Sequence, residues 1–197
     1  MATQQKKVAF HTMGCKLNFS ETSTIKRDFI SRGFKTVSFN EYANIYVLNS
    51  CSVTENADRE AKKIIRKAKR LNPSSSIIVT GCYAQLKPEE LAAVKEVDMI
   101  FGAKEKFNLL DHLDSIELNH KTKLYHSEIN SVSHFEPSFS SNDRTRSYLK
   151  VQDGCDYNCT FCTIPLARGA SRSSTVSKTL ISAKQAISSG AREIVLT

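Results

Sequence analysis

The chain has 197 residues, 40% of them hydrophobic and 24% charged, with six Cys, seven Gly, four Pro and no Trp. That balance lies near the globular norm and excludes wholesale disorder and fibrous repeats, and the length allows one domain or two with real cores. Lys and Arg number 28 against 20 Asp and Glu, a formal charge of +8 that favours polyanions such as nucleic acid without identifying a partner.

The first residues lead into a strand-like run with no apolar signal-peptide segment, and nowhere do ~18 apolar residues run uninterrupted. A cytoplasmic protein with no membrane association is expected. In a reducing cytosol six cysteines point to metal binding or chemistry before disulfides.

Short apolar runs at residues 8–12, 36–39, 45–49, 77–80 and 99–101 read as strands. Helical patterns at 20–32, 56–71, 88–94 and 107–115 separate or follow them, the third opened by Pro88. The alternation predicts an α/β fold, a flavodoxin-like open parallel sheet over residues 1–118. Within 56–71 the small and apolar Ala57, Ala61, Ile64, Ile65 and Ala68 recur at helical spacing. Arg59, Lys62, Lys63, Arg66, Lys67, Lys69 and Arg70 surround them, a quarter of the chain's basic residues. They read as a solvated face, with phosphate contact as the alternative.

Residues 119–145 are expected to be a connector, since six of the fifteen residues from 127 to 141 are serine. Beyond it, 148–152 reads as a strand, 154–173 as a loop, 176–188 as a helix and 193–197 as a strand. A single βαβ unit over 146–197 cannot close an eight-unit barrel, which takes roughly 250 residues. That segment therefore reads as the start of a truncated barrel, and the chain as part of a longer protein.

The cysteines fall into two groups. Cys155, Cys159 and Cys162 form a C-x3-C-x2-C cluster in the predicted loop after a strand. Thiolates at this spacing suit zinc or an iron–sulfur cluster, and a cube held by three cysteines leaves one iron open to a small molecule. The alternatives are a zinc knuckle completed by a remote ligand such as His134, three structural thiols, or a redox disulfide. Cys15, Cys51 and Cys82 have no informative spacing. Each, however, follows a predicted strand and precedes a helix, which places all three at the carboxyl edge of a parallel sheet, where α/β proteins bind ligands. Taken singly, each is equally a small buried hydrophobe. Gly14 and Gly81 beside them permit close backbone approach. His11, His112, His120, His126 and His134 show no ligand spacing among themselves. Phe161 has two readings, packing in a core or stacking on an aromatic ligand.

Cys155-x3-Cys159-x-Phe161-Cys162 resembles the radical S-adenosylmethionine signature. Gly14-Cys15-Lys16-Leu17-Asn18, Asn49-Ser50-Cys51-Ser52-Val53-Thr54 and Gly81-Cys82-Tyr83-Ala84-Gln85 are similar to the three cysteine motifs of the methylthiotransferases. Val151 to Cys155 and Ile164 to Ser173 look most like the branch that modifies threonylcarbamoyladenosine in tRNA. The isopentenyladenosine branch tends to have Pro-Tyr where this chain has Pro165-Leu166.

The resemblance implies two [4Fe–4S] clusters. Cys155, Cys159 and Cys162 would hold the one that binds S-adenosylmethionine and releases a 5′-deoxyadenosyl radical. Cys15, Cys51 and Cys82 would hold an auxiliary cluster that delivers sulfur. Phe161 and Arg168 become cofactor-binding candidates, although Arg168 and Arg172 read equally as a solvated basic loop or as contacts to RNA phosphate. The implied partners are the tRNA anticodon stem-loop and a reduced flavodoxin- or ferredoxin-type electron donor. The implied product is a 2-methylthio group on the modified adenosine beside the anticodon. Family members continue past the point where this sequence stops, so little or no turnover is expected of the chain alone. The alternatives are a zinc-dependent RNA-binding module, a methylthiotransferase acting on isopentenyladenosine or on a ribosomal protein, and a flavodoxin-like electron carrier.

Overall fold

Strands buried on both faces organise the first half of the molecule. The computed structural model describes residues 5–52, 54–115, 121–141 and 145–197. In chain order, β1 (Lys7–Thr12), α1 (Lys16–Ser31), β2 (Lys35–Val37), β3 (Ile45–Ser50), α2 (Glu55–Leu71), β4 (Ser76–Gly81), α3 (Cys82–Leu86), α4 (Pro88–Ala92), β5 (Met99–Phe101) and β6 (Lys123–Tyr125) build its larger part. The strands lie in the order β2-β1-β3-β4-β5-β6, every neighbouring pair parallel.

The two faces of this sheet are covered by different helices. Ala9, Tyr46, Leu48, Ile77 and Val79 pack with Ala61, Ile65 and Ala68 of α2. Their neighbours Val8, Ile45, Val47 and Ile78 point the other way and pack with Ile25 and Phe29 of α1. Every residue of β3 is buried, as a strand covered on both faces requires. Burying each large apolar side chain contributes about 1.5–3 kcal/mol. The open parallel α/β sheet expected from the sequence is therefore present.

Several local elements differ from expectation. Helix α1 starts at Lys16 rather than residue 20, because Cys15 is its N-cap and Phe19 already bonds back to the Cys15 carbonyl at 3.3 Å. The turn over Leu109–Ser115 is 3-10 rather than α-helical. The expected connector contributes β6, which pairs with β5, and a 3-10 turn at Ile129–Ser131; its Ser138 and Ser140 are buried. A polar stretch hides such a strand, since pairing with β5 is a tertiary event. Arg27 of α1 ties the same segment down by donating to the Phe139 carbonyl at 2.9 Å, its guanidinium 3.9 Å from the Phe139 ring centroid.

The remaining elements are β7 (Arg146–Leu149), β8 (Gln152–Asp153), α5 (Ile164–Arg168), β9 (Arg172–Ser173), α6 (Val176–Ser188) and β10 (Glu193–Leu196). The expected strand over 148–152 is split, because the Lys150 N–H turns to the Ser138 carbonyl at 2.9 Å. The expected loop over 154–173 contains α5 and β9. Strands β7 and β10 pair in parallel around α6, giving the βαβ unit, and β8 pairs antiparallel with β9. Among the described residues no helix is long and apolar enough to cross a membrane.

Candidate functional site

Each cysteine of the first group sits where a strand gives way to a helix. Cys15 caps α1 after β1, Cys51 follows β3, and Cys82 is the first residue of α3 directly after β4. All six cysteines are free thiols. The order β2-β1-β3 reverses direction between β1 and β3, and a ligand crevice forms at such a switch point, outside the carboxyl ends of the strands. Cys15 and Cys51 follow the carboxyl ends of those two strands.

Two glycines make the approach possible. A Cβ at Gly14, where φ is +90°, would stand 2.9 Å from Cys51 Cβ and 3.0 Å from its sulfur. A Cβ at Gly81, where φ is +94°, would stand 2.3 Å from the Ser50 carbonyl oxygen. Asn18 then locks the loops together: its Nδ2 donates to the Met13 carbonyl at 2.8 Å and to the Ser50 carbonyl at 3.1 Å. Asn49 Nδ2 donates in turn to the Asn18 carbonyl at 3.0 Å. Ser52 donates to Asp58 of α2 at 2.7 Å, fixing the chain after Cys51. Val53 and His120 lie outside the described residues.

The second group is held differently. Cys155 N–H donates to the Gly169 carbonyl at 3.0 Å and Cys162 N–H to the Cys159 carbonyl at 3.0 Å. Tyr157, Cys159 and Phe161 are exposed, Phe161 to 88%. The ring of Phe161 is thus not packed in a core.

Helix α5 joins the two groups through a buried charge network that the spacing of residues did not reveal. Arg168 donates to Asn18 Oδ1 at 2.6 Å, to Glu21 Oε1 at 3.1 Å and to Asp153 Oδ1 at 2.8 Å. Glu21 also receives Lys106 at 2.5 Å and Lys150 at 3.2 Å, and Lys150 reaches Asp153 at 2.9 Å. Arg168, expected at a cofactor or RNA phosphate, is 5% exposed and spends its donors here, because two carboxylates compete for it inside the protein. Burial pushes the Glu21 carboxyl up, but Arg168, Lys106 and Lys150 outweigh it and hold it well below the usual range. Asp153 is likewise buried, yet the same cations hold it down to about 2. Burial also pushes the Cys82 thiol up, opposed by the charges of Arg168 and Lys106. In the basic helix α2, Lys62 pairs with Glu90 at 2.5 Å, Lys69 with Asp98 at 3.3 Å, and Lys67 bonds Asn40 at 2.7 Å.

The donor set fits thiolate-held groups: two sets of three free thiols, one at a sheet edge and one in a single loop. Among the described residues no three His, Cys, Asp or Glu side chains are drawn together as for a single metal ion. A four-iron cluster is held through separate irons, and its thiolates stand further apart than ligands of one ion. His134, the remote zinc ligand considered above, faces Glu136 at 3.0 Å.

Residues 7–102 match the family described as "Uncharacterized protein family UPF0004". Over 97% of its length the chain is 41% identical to the threonylcarbamoyladenosine tRNA methylthiotransferase MtaB of Aquifex aeolicus, covering 47% of that protein. Nearly the whole chain is thus similar to methylthiotransferases. It is 40% identical over 96% of its length to MtaB of Bacillus subtilis, covering 43% of it. With the ribosomal protein uS12 methylthiotransferase RimO of Trichodesmium erythraeum the identity is 29% over 96% of the chain. The chain spans a little under half the length of each of these methylthiotransferases.

Proposed function

We propose that the chain is the part of a tRNA methylthiotransferase that holds both cysteine triads. The observation that supports this most is the placement of Cys15, Cys51 and Cys82 after the carboxyl ends of three adjacent parallel strands, in a chain 41% identical to a protein named for that activity. Cys15, Cys51 and Cys82 would hold an auxiliary [4Fe–4S] cluster, and Cys155, Cys159 and Cys162 the cluster that takes S-adenosylmethionine. When bound, these groups supply the electron transfer, radical and sulfur chemistry that side chains lack.

The chain's own share is positional. Asn18 and Arg168 hold the loops of both triads together, and Gly14 lets Cys15 and Cys51 approach. The exposed ring of Phe161 offers a face on which an adenine can stack. The work divides among residues 1–118, the connector 119–145, and 146–197 as the start of the S-adenosylmethionine domain, in a cytoplasmic enzyme supplied by a reduced flavodoxin- or ferredoxin-type donor. The substrate is tRNA carrying N6-threonylcarbamoyladenosine beside the anticodon, and the product bears a 2-methylthio group. Higher identity to the tRNA enzymes than to the uS12 enzyme favours RNA over protein as the acceptor.

The test is anaerobic iron–sulfur reconstitution with iron and sulfide counts on the parent and two triple alanine variants. One variant replaces Cys15, Cys51 and Cys82; the other replaces Cys155, Cys159 and Cys162. Each is expected to lose one cluster's worth of iron and keep the other. Zinc without sulfide in the parent would sink the proposal and favour the zinc-dependent RNA-binding module.

A further inference from the structure

Beside the charge network lies a cavity of about 130 Å³. It is lined by the cations Lys104, Lys106, Lys150 and Arg172 and by two carboxylates, Asp153 and Glu136. Lys106, Lys150, Arg168 and Arg172 meet only Glu21 and Asp153 in this network, so cations outnumber carboxylates four to two. Lys106 and Lys150 are nearly sealed from water, and the side chain of Arg172 is 10% exposed. An excess of positive charge inside a protein is costly unless an anion meets it.

Arg172 shows the same deficit at one atom. Its Nη1 donates to the Ala170 carbonyl at 2.7 Å and its Nη2 stands 3.6 Å from Asp153, while its buried Nε has no partner. Burial also pulls the Lys106 ammonium below its ordinary range, against the opposing pull of Glu21 and Asp153, with Arg168 and Lys150 adding to the effect.

The place matters as well as the charge. Asp153 is two residues before Cys155, so the cavity wall comes within about 7 Å of chain from the second cysteine loop. On the reading given above, the base to be modified lies near that loop. In a threonylcarbamoyl group the threonine nitrogen is bonded to the carbamoyl carbonyl and so carries no positive charge, while the threonine carboxylate stays free.

We propose that this cavity is a carboxylate-binding subsite, and that it receives the carboxylate of the threonylcarbamoyl group, so that Arg172, Lys104 and Lys106 set the preference for this nucleoside over an uncharged one. The proposal deepens the functional reading and rests on it. Planar carboxylate oxygens suit the guanidinium edge of Arg172, and the ammonium groups add charge from the side.

The test is calorimetric titration of the chain at low salt with four probes: N6-threonylcarbamoyladenosine, its methyl ester, N6-isopentenyladenosine and inorganic phosphate. The free acid is expected to bind at least ~10-fold more tightly than the ester, the size of effect a charge-assisted hydrogen bond gives. Arg172→Gln is expected to erase that difference, and Lys104→Gln to shrink it. Neither removes a partner of Glu21, and circular dichroism checks that both fold. Equal binding of acid and ester, no binding of either, or phosphate displacing the nucleoside would each overturn the subsite. Iron and sulfide counts on the same protein separate the two readings. Full clusters without discrimination defeat only the subsite, whereas discrimination without iron supports the subsite and defeats the proposed chemistry.

Discussion

The two cysteine triads solve one positioning problem in opposite ways. Cys15, Cys51 and Cys82 come from three strand ends, and their relative places are set by the register of β1, β3 and β4 and by glycines that leave no room for a Cβ. Cys155, Cys159 and Cys162 come from one loop, and exposed neighbours surround them. The first triad is as rigid as the sheet. The second depends on tethers at its two ends, the β8–β9 pairing and the Arg168 contacts. Rigidity in the first case is topological, and in the second it is electrostatic.

The largest expected effect tests that distinction. Glu21→Ala leaves Lys106, Lys150 and Arg168 without their shared carboxylate and should cost about 3–5 kcal/mol. Urea denaturation followed by circular dichroism measures the loss. Hydrogen exchange should show residues 150–172 loosening before the sheet; simultaneous loss in both regions would make the two modes of positioning one. Gly81→Ala should act on the other side, costing roughly 1–3 kcal/mol for the positive φ and more for overlap with Ser50. Iron at the first triad should fall in that variant while iron at the second is retained, as counts on the reconstituted protein would show.

Acid should separate the regions in the same sense. Glu21 is held well below its ordinary range and Asp153 at about 2, so the folded chain binds fewer protons than the unfolded one. The stability they contribute is complete above the unfolded carboxyl range, near pH 4–4.5, and falls as pH drops through the folded values toward about 2. An Asp153→Asn variant should flatten that part of the acid transition, and an unchanged slope would contradict the network. The smallest effect is expected at the exposed Arg32–Asp111 pair, 2.5 Å apart with side chains 50% and 58% exposed. Asp111→Ala should change stability by no more than about 1 kcal/mol and leave both triads untouched.

What could be read from the residues follows the range of the forces involved. Continuous apolar runs in 45–49 and 77–80 disclosed buried strands, because burial on two faces is written locally. The second triad was legible from spacing within eight residues, and the first only from strand endings. Helix α3 was hidden because five residues after a glycine leave no periodicity to count. Strand β6 was hidden because Lys123, Leu124 and Tyr125 become a strand only against β5. The charge network was illegible for the plainest reason: Glu21 meets Arg168 across 147 positions, and nothing near either residue announces the other.

That separation also orders events during synthesis. The carboxylate of Glu21 leaves the ribosome 85 residues ahead of Lys106 and 147 ahead of Arg168. At ordinary elongation rates the second interval lasts roughly 7–30 s. Over that time Glu21 lacks its full set of cations, which is completed only when the segment bearing Cys155, Cys159 and Cys162 arrives.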